Sequence, residues 1–229
     1  MPRTATTKEK VLAVGTAILI GSLGFMILFV GSLGYGTRVI HVACVGDSIT
    51  EGSGYPANLQ AMLGARYFVG NFGVTGSAVS LDSETPYINQ SAFQRGKSFQ
   101  PSIVIIMLGT NDAAEYLNRS VGDFAADYRN LVEAYEMLES NPEIWLVRPP
   151  PLFDNNLNLS NTNLEQAIIP CIEQVADELD LPVIDVNMVL ADCPEYFGDG
   201  VHPNKEGAAL IASTVCQTVT SGEVQRRDN

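Results

Sequence analysis

Five short apolar runs, separated by longer segments of mixed polarity, constrain the fold of this chain more than any other feature. The third run, SIVIIML (102–108), is apolar at every position after its serine, as in a strand that is covered on both faces of a sheet. Strands that alternate with helices form right-handed βαβ units, so the pattern predicts an α/β domain with a five-stranded parallel sheet. The predicted strands are 38–45, 65–72, 102–108, 143–148 and 181–186.

Three of the intervening segments have the helical period of apolar residues: 123–138, 163–179 and 204–219. Pro170 interrupts the second segment and predicts a kink or a split there, because proline removes a backbone hydrogen bond inside a helix. The last residues of the chain, 222–229, are polar and are predicted to form a disordered tail.

The N-terminal region differs from the rest of the chain in composition, because it contains a long apolar run. Residues 11–33 run for 23 positions without a charge, and at 1.5 Å per residue a helix of this length reaches about 34 Å, enough for a hydrocarbon core of about 30 Å. Arg3, Lys8 and Lys10 precede this run, so the positive-inside rule predicts a cytoplasmic stub at 1–10, one transmembrane helix at 11–33 and an extracytoplasmic domain after it. A cleaved signal peptide, which would leave a secreted protein, is the alternative that we favour less.

Charge and cysteine content exclude two classes of partner. A net charge of −13 argues against nucleic acid, because phosphate binding needs clustered cations. Only two histidines occur, His41 and His202, and no CxxC motif is present, so a zinc site of His and Cys ligands is not expected. Cys44 lies in an apolar run and is expected in the core, while at most one disulfide, whose pairing stays open, can form among Cys171, Cys193 and Cys216.

Four polar motifs lie after predicted strands, where open α/β sheets carry their functional residues. In chain order these motifs are GDS (46–48), NFGVTG (71–76), GTND (109–112) and DGVHP (199–203). Each motif alone is ordinary turn sequence. All four in order, mostly at the strand ends of one sheet, favour an active site instead.

The residue types in these motifs suit acyl transfer. A serine hydroxyl such as that of Ser48 becomes a nucleophile when a base takes its proton, and His202 is suited to be that base. Asp199, three residues before the histidine, is placed to orient the imidazole and to stabilise its charged form.

Attack on an ester also builds negative charge on the carbonyl oxygen, which needs hydrogen-bond donors already in position. We expect this oxyanion hole to consist of the backbone N–H groups of Ser48 and Gly76 and the side-chain amide of Asn111. Glycine suits the second position because the lack of a Cβ allows close approach of the substrate. Asp112 is not a candidate, because a carboxylate cannot donate.

These motifs resemble the four blocks of the SGNH (GDSL-type) hydrolases, and the resemblance extends from about Val39 to Thr218, with Ile49 in place of the leucine of the family name. It implies a flavodoxin-like three-layer α/β/α fold over a catalytic domain at 38–221. It also implies ester hydrolysis through an acyl-enzyme, without metal or cofactor. The phrases NFGVTGS, FQPSIVIIMLGTND and PPPLF look most like the small carbohydrate-type acetylesterases of that family.

Candidate substrate contacts are Asp47, Tyr55 and Arg148, with Tyr87 and Phe93 as further rings able to stack on a sugar. The three aromatic residues can equally close the core, and Arg148 can equally pair with a surface carboxylate. No oligomeric state is predicted.

The favoured substrate is an ester of acetate or another short acyl group on a carbohydrate or glycoconjugate outside the cell. Two alternatives stay open. One is a membrane-tethered lysophospholipase or thioesterase that uses the same triad, and the other is a surface binding module without catalysis.

Overall fold

The computed structural model describes residues 39–114 and 121–227. Its centre is one five-stranded sheet in which every pair of neighbouring strands is parallel, as predicted. The strands are β1 (Ile40–Gly46), β2 (Tyr67–Gly73), β3 (Ile103–Met107), β4 (Glu143–Arg148) and β5 (Val183–Asp185). Their order across the sheet is β2-β1-β3-β4-β5, which is the flavodoxin-like order.

Helices cover both faces of this sheet and complete three layers. They are α1 (Ser48–Gly52), α2 (Tyr55–Leu63), α3 (Ser91–Ser98), α4 (Val121–Glu136), α5 (Ile169–Glu178), α6 (Val186–Leu190) and α7 (Lys205–Arg227). Side chains of α3, α4 and α5 share one apolar cluster with alternate strand residues such as Ala43 and Val45. Val42 and Cys44, which point to the opposite face, share a second cluster with α1, α2, α6 and α7. The central strands are apolar throughout because both of their faces are covered.

The predicted break at Pro170 is confirmed. A short π-helical stretch, Leu164–Ile168, directly precedes α5, and Pro170 lies in the first turn of α5. The change from π- to α-helical hydrogen bonding at this point accommodates a residue that lacks an N–H. The end of the chain differs from the prediction, because α7 continues to Arg227 instead of ending before a disordered tail at 222. Glu223, Gln225 and the two arginines after it favour helix, which accounts for the extension.

The predicted stub at 1–10 and the predicted membrane helix at 11–33 lie outside the described residues, so the anchor and the extracytoplasmic location stay predictions. Of the helices in the described ranges, none combines the length and the apolar character that crossing a bilayer requires. All four cysteines are free thiols, and Cys44 is buried as expected.

Two glycines let α1 lie directly against the carboxyl ends of β1 and β2. A Cβ added at Gly46 would stand 1.9 Å from Thr50 Oγ1, and one added at Gly73 would stand 2.3 Å from the backbone nitrogen of Glu51. Neither position has room for a side chain. This close packing fixes where Ser48, the first residue of α1, enters the edge of the sheet.

Candidate active site

Ser48 begins α1 in a sharp strand-to-helix turn. Asp47 is the N-cap of this helix, and its Oδ1 accepts the backbone N–H of Ile49 at 2.9 Å. Such a cap satisfies a backbone donor that would otherwise have no partner in the helix. The turn thereby holds Ser48 at the surface while its neighbours Asp47 and Ile49 stay buried.

The structure brings Ser48, His202 and Asp199 into one chain of hydrogen bonds. The hydroxyl oxygen of Ser48 lies 2.9 Å from Nε2 of His202, although 154 positions separate the two residues. On the other side of the ring, Nδ1 of His202 lies 2.7 Å from Oδ2 of Asp199. Both distances lie within the range of hydrogen bonds, and the order hydroxyl, imidazole and carboxylate is the one that an activated serine nucleophile requires.

Asp199 is itself held by the backbone of the loop that carries the histidine. Its Oδ1 accepts the N–H groups of Val201 at 3.0 Å and His202 at 2.8 Å. Partial burial acts to raise the pKa of Asp199, but the hydrogen bonds from the backbone and ring of His202 and from Val201 outweigh it and bring the pKa to about 2. The carboxylate is therefore charged at neutral pH and favours the tautomer with the proton on Nδ1, which leaves Nε2 free to accept a proton from Ser48.

Both remaining candidates for the oxyanion hole lie at the same cleft. Gly76 has a left-handed φ of 75°, which favours glycine, and a Cβ there would meet open space. The side-chain Nδ2 of Asn111 donates to the carbonyl of Ser77 at 2.9 Å. Since an amide nitrogen carries two hydrogens, this bond fixes the side chain and leaves a second N–H for a substrate oxygen.

Two carboxylates that the sequence reasoning did not assign hold the segment around Gly76. Asp112 accepts the backbone N–H groups of Val79 and Ser80, at 2.9 and 3.0 Å, and the Ser80 hydroxyl at 2.6 Å. Glu51 accepts the backbone N–H and the hydroxyl of Thr75, at 2.7 and 2.6 Å. Asp112 directly follows Asn111 in the chain, and that adjacency was the one available signal.

The candidate substrate contacts do not reach the cleft. Tyr55 has no exposed surface, so the prediction that it contacts substrate is wrong; Tyr87 and Phe93 are also buried and close the core. Asp47 is 1% exposed and caps α1 instead of facing a ligand. Arg148 pairs with Glu173 and Asp185, the alternative considered for it, and is absent from the wall of the cleft.

The cleft itself has a volume of about 550 Å³ and contains Ser48, Gly76, Asn111 and His202 in its wall. Small apolar side chains complete one part of the wall, and residues 82–85 form a polar part. Within the described ranges, no group of three or more His, Cys, Asp or Glu side chains is arranged to hold a metal ion. The described residues of the wall include a hydroxyl, an imidazole and an amide, those of Ser48, His202 and Asn111.

Burial of Asp47 makes stability depend on pH. Burial raises the pKa of this carboxyl to about 6 from 3.8, and the N–H of Ile49 offsets only part of the shift. The folded protein then binds a proton that the unfolded chain has lost between pH 4 and pH 6, so stability falls as pH rises through this window. The loss levels off above it, at about 3 kcal/mol at most, since one pKa unit corresponds to roughly 1.4 kcal/mol.

We therefore expect Asp47→Asn to be more stable than the wild type at pH 8 and to lose this advantage at pH 4. The asparagine keeps an oxygen for the Ile49 N–H but cannot ionise. Urea unfolding of both proteins from pH 4 to pH 8 measures the difference directly. A stability difference that stays constant over this range would show that ionisation of Asp47 is not its source.

Known proteins are similar to this chain in sequence and in fold. A model of the GDSL-like lipase/acylhydrolase family matches residues 44–210, which is well over half of the chain. An acetylxylan esterase from Xylanibacter ruminicola is 31% identical over 206 residues; the match covers 79% of this chain and 43% of that protein. The chain thus spans less than half the length of this curated relative.

Solved structures agree on the fold. An aryl esterase from M. smegmatis has a TM-score of 0.66 at 22% identity, over 80% of this chain and 99% of the other. Est24, a carbohydrate acetylesterase from Sinorhizobium meliloti, has a TM-score of 0.64 at 21% identity, with the same coverage. With the family model matched from strand β1 into helix α7, the chain belongs to the GDSL-like lipase/acylhydrolase family, a family of carboxylic ester hydrolases.

Proposed function

We propose that this protein is a serine esterase that removes short acyl groups, most simply acetyl, from a carbohydrate or glycoconjugate. The observation that carries the proposal is the hydrogen-bonded chain from Ser48 through His202 to Asp199, which opens on a cleft that Gly76 and Asn111 also line. Its proposed substrate is an acylated glycan or a small ester.

In the proposed reaction, the hydroxyl oxygen of Ser48 attacks the ester carbonyl while Nε2 of His202 takes the hydroxyl proton. The N–H groups of Ser48 and Gly76 and the amide of Asn111 donate to the oxyanion that forms. The imidazolium then protonates the leaving alcohol, and the carbon–oxygen bond of the ester breaks to leave an acyl-serine. Water, deprotonated by His202, attacks this acyl group, and the proton returns to Ser48 as the carboxylic acid departs.

The wall of the cleft supports a short acyl group. Its described apolar members beside the triad are Ala78, Leu157, Leu159 and Val201, and none of the wall residues that the structure describes is aromatic. Thr75 and residues 82–85 supply hydroxyls and carboxylates, which suit a sugar more than a hydrocarbon chain. The similarity to the acetylxylan esterase supports the same substrate class.

Acyl-chain preference tests this proposal. We expect the full chain to hydrolyse p-nitrophenyl acetate and to lose activity steeply along the series from acetate to palmitate, because the short apolar wall cannot cover a long chain. Steady-state kcat/KM for each ester is the measurement, with Ser48→Ala beside it. A preference for long chains would favour the lysophospholipase or thioesterase alternative, and background rates in both proteins would favour a binding module.

A further inference from the structure

A second cavity adjoins the catalytic cleft on the far side of Leu157. It has a volume of about 330 Å³ and is lined by Asp154, Asn155, Asn156, Leu157, Gly198 and Asp199. Leu157 lines the catalytic cleft as well, and Asp199 is the carboxylate that holds His202. The two cavities therefore meet at Leu157, and the second begins next to the triad.

The loop that forms this second cavity is held in one conformation by its own hydrogen bonds. The side chain of Asn155 donates to the carbonyls of Phe153 and Leu159, both at 2.9 Å, and accepts the N–H groups of Leu157 and Leu159. The N–H of Phe153 also donates to the carbonyl of Gly200 at 2.8 Å, which ties the loop to the segment that carries Asp199 and His202. A cavity held in this way binds a ligand without first having to order its own wall.

The chemistry of the cavity suits sugar hydroxyls. Asp154 and Asn156 are exposed, and neither side chain forms a hydrogen bond within the described part of the chain. A carboxylate accepts hydrogen bonds from hydroxyls, and an amide both donates and accepts. Leu157, which is 49% exposed, gives an apolar surface for the C–H face of a sugar ring.

Two other ligand classes fit the cavity poorly. Among the described residues that line it, Leu157 has the one apolar side chain, so an acyl chain would find little surface to cover it. Carboxylates at Asp154 and Asp199 would repel a phosphate or a uronic acid. Of these three classes, an uncharged sugar fits the cavity best.

We propose that this cavity is a subsite for the sugar residue next to the acylated one, with Asp154 and Asn156 as its hydrogen-bonding groups. The inference rests on the proposed function, because it places the acyl group of the same glycan at Ser48. Asp154 and Asn156 bind the alcohol part of the substrate and take no part in bond breaking.

The test compares two substrates in the full-length protein: an acetylated xylo-oligosaccharide, which can fill the subsite, and p-nitrophenyl acetate, which cannot. We expect Asp154→Ala to lower kcat/KM for the oligosaccharide about tenfold, mostly through KM, because the lost hydrogen bond involves a charged group. Asn156→Ala should show a smaller loss in the same direction. With p-nitrophenyl acetate, both variants should stay within about twofold of the wild type.

Asp177→Ala is the matched control, because Asp177 is an exposed aspartate in the last turn of α5. This end of α5 leads into the amino end of β5, away from the cleft. This substitution should leave kcat/KM unchanged for both substrates. Unchanged oligosaccharide kinetics in Asp154→Ala, or equal losses with both substrates, would overturn the subsite.

Failure of the subsite and failure of the proposed function are distinguishable. A wild type that hydrolyses p-nitrophenyl acetate but not the oligosaccharide would overturn the subsite and leave the esterase intact. A wild type that hydrolyses neither substrate would overturn the proposed function and the subsite with it.

Discussion

Ser48→Ala is expected to lower kcat for p-nitrophenyl acetate by on the order of 10⁴- to 10⁶-fold. The substitution removes the atom that would form the acyl-enzyme, and only the oxyanion donors and binding would be left to accelerate the reaction. The fold should stay intact, because Nε2 of His202 is the one hydrogen-bond partner of the Ser48 hydroxyl among the described residues, while the helix cap that shapes the turn comes from Asp47.

Purified variant and wild type are compared in the same assay, with thermal unfolding as the check on folding. Ser221→Ala, at the far end of α7, serves as the control serine and should keep full activity. A Ser48→Ala protein that is folded and keeps its rate within tenfold of the wild type would rule out this serine as the nucleophile.

Asp199→Asn is expected to give the second-largest loss, on the order of 10²- to 10⁴-fold in kcat. An asparagine oxygen can still accept the N–H groups of Val201 and His202, so the loop keeps its backbone hydrogen bonds. The amide NH₂, however, replaces the acceptor that faces Nδ1 at 2.7 Å. The imidazole then favours the tautomer with its proton on Nε2, which points at Ser48 and cannot accept from it.

The pH dependence of this variant shows whether Asp199 acts by orienting the His202 imidazole or whether the substitution only disrupts the structure of the site. Asp199 has a pKa of about 2 and stays charged across the working range, so the wild type should lose no activity from this carboxyl above pH 4. In Asp199→Asn the loss should persist at every pH from 5 to 9, because the tautomer is wrong at each of them. Recovery of wild-type rates at high pH would contradict an orienting role.

The sheet and its edge were predictable because their signals are local. A buried parallel strand must be apolar on both faces, which makes β3 visible in the sequence, and parallel strands bring their carboxyl ends to one edge. Asp199 and His202 lie three residues apart, so their contact depends on one loop only. The approach of Ser48 to His202 does not follow from the strand order alone, because β3 and β4 lie between β1 and β5. It depends on the segment after β5, which brings His202 to Ser48 across 154 positions.

Contacts that depend on how loops pack could not be predicted in this way. Tyr55 follows Ser48 closely in sequence and is nevertheless fully buried, because the first turn of α2 faces the sheet and not the cleft. The Asn-rich segment 154–163 was recognisable only as a loop. Its place beside Asp199 depends on the bond between Phe153 and Gly200 and on the side chain of Asn155, which link residues through tertiary structure.

Asp112 shows the same limit beside the proposed oxyanion hole. Because a carboxylate cannot donate a hydrogen bond, Asp112 was excluded from the oxyanion hole, and the sequence indicated no other role for it. In the structure it binds the backbone of Val79 and Ser80 and so connects the turn of Asn111 to the segment that follows Gly76. A residue that acts by accepting hydrogen bonds from a distant loop leaves no local pattern.

The most direct test of the serine mechanism is to detect a covalent adduct on the hydroxyl oxygen of Ser48. The full-length protein is treated with diethyl p-nitrophenyl phosphate, which transfers a diethylphosphoryl group to an activated serine and leaves a stable adduct, and the modified peptide is identified by mass spectrometry. We expect one equivalent of label on Ser48, with none in His202→Ala, since the hydroxyl then lacks its base. Label on another residue, or no label on a protein that hydrolyses p-nitrophenyl acetate, would contradict the serine mechanism.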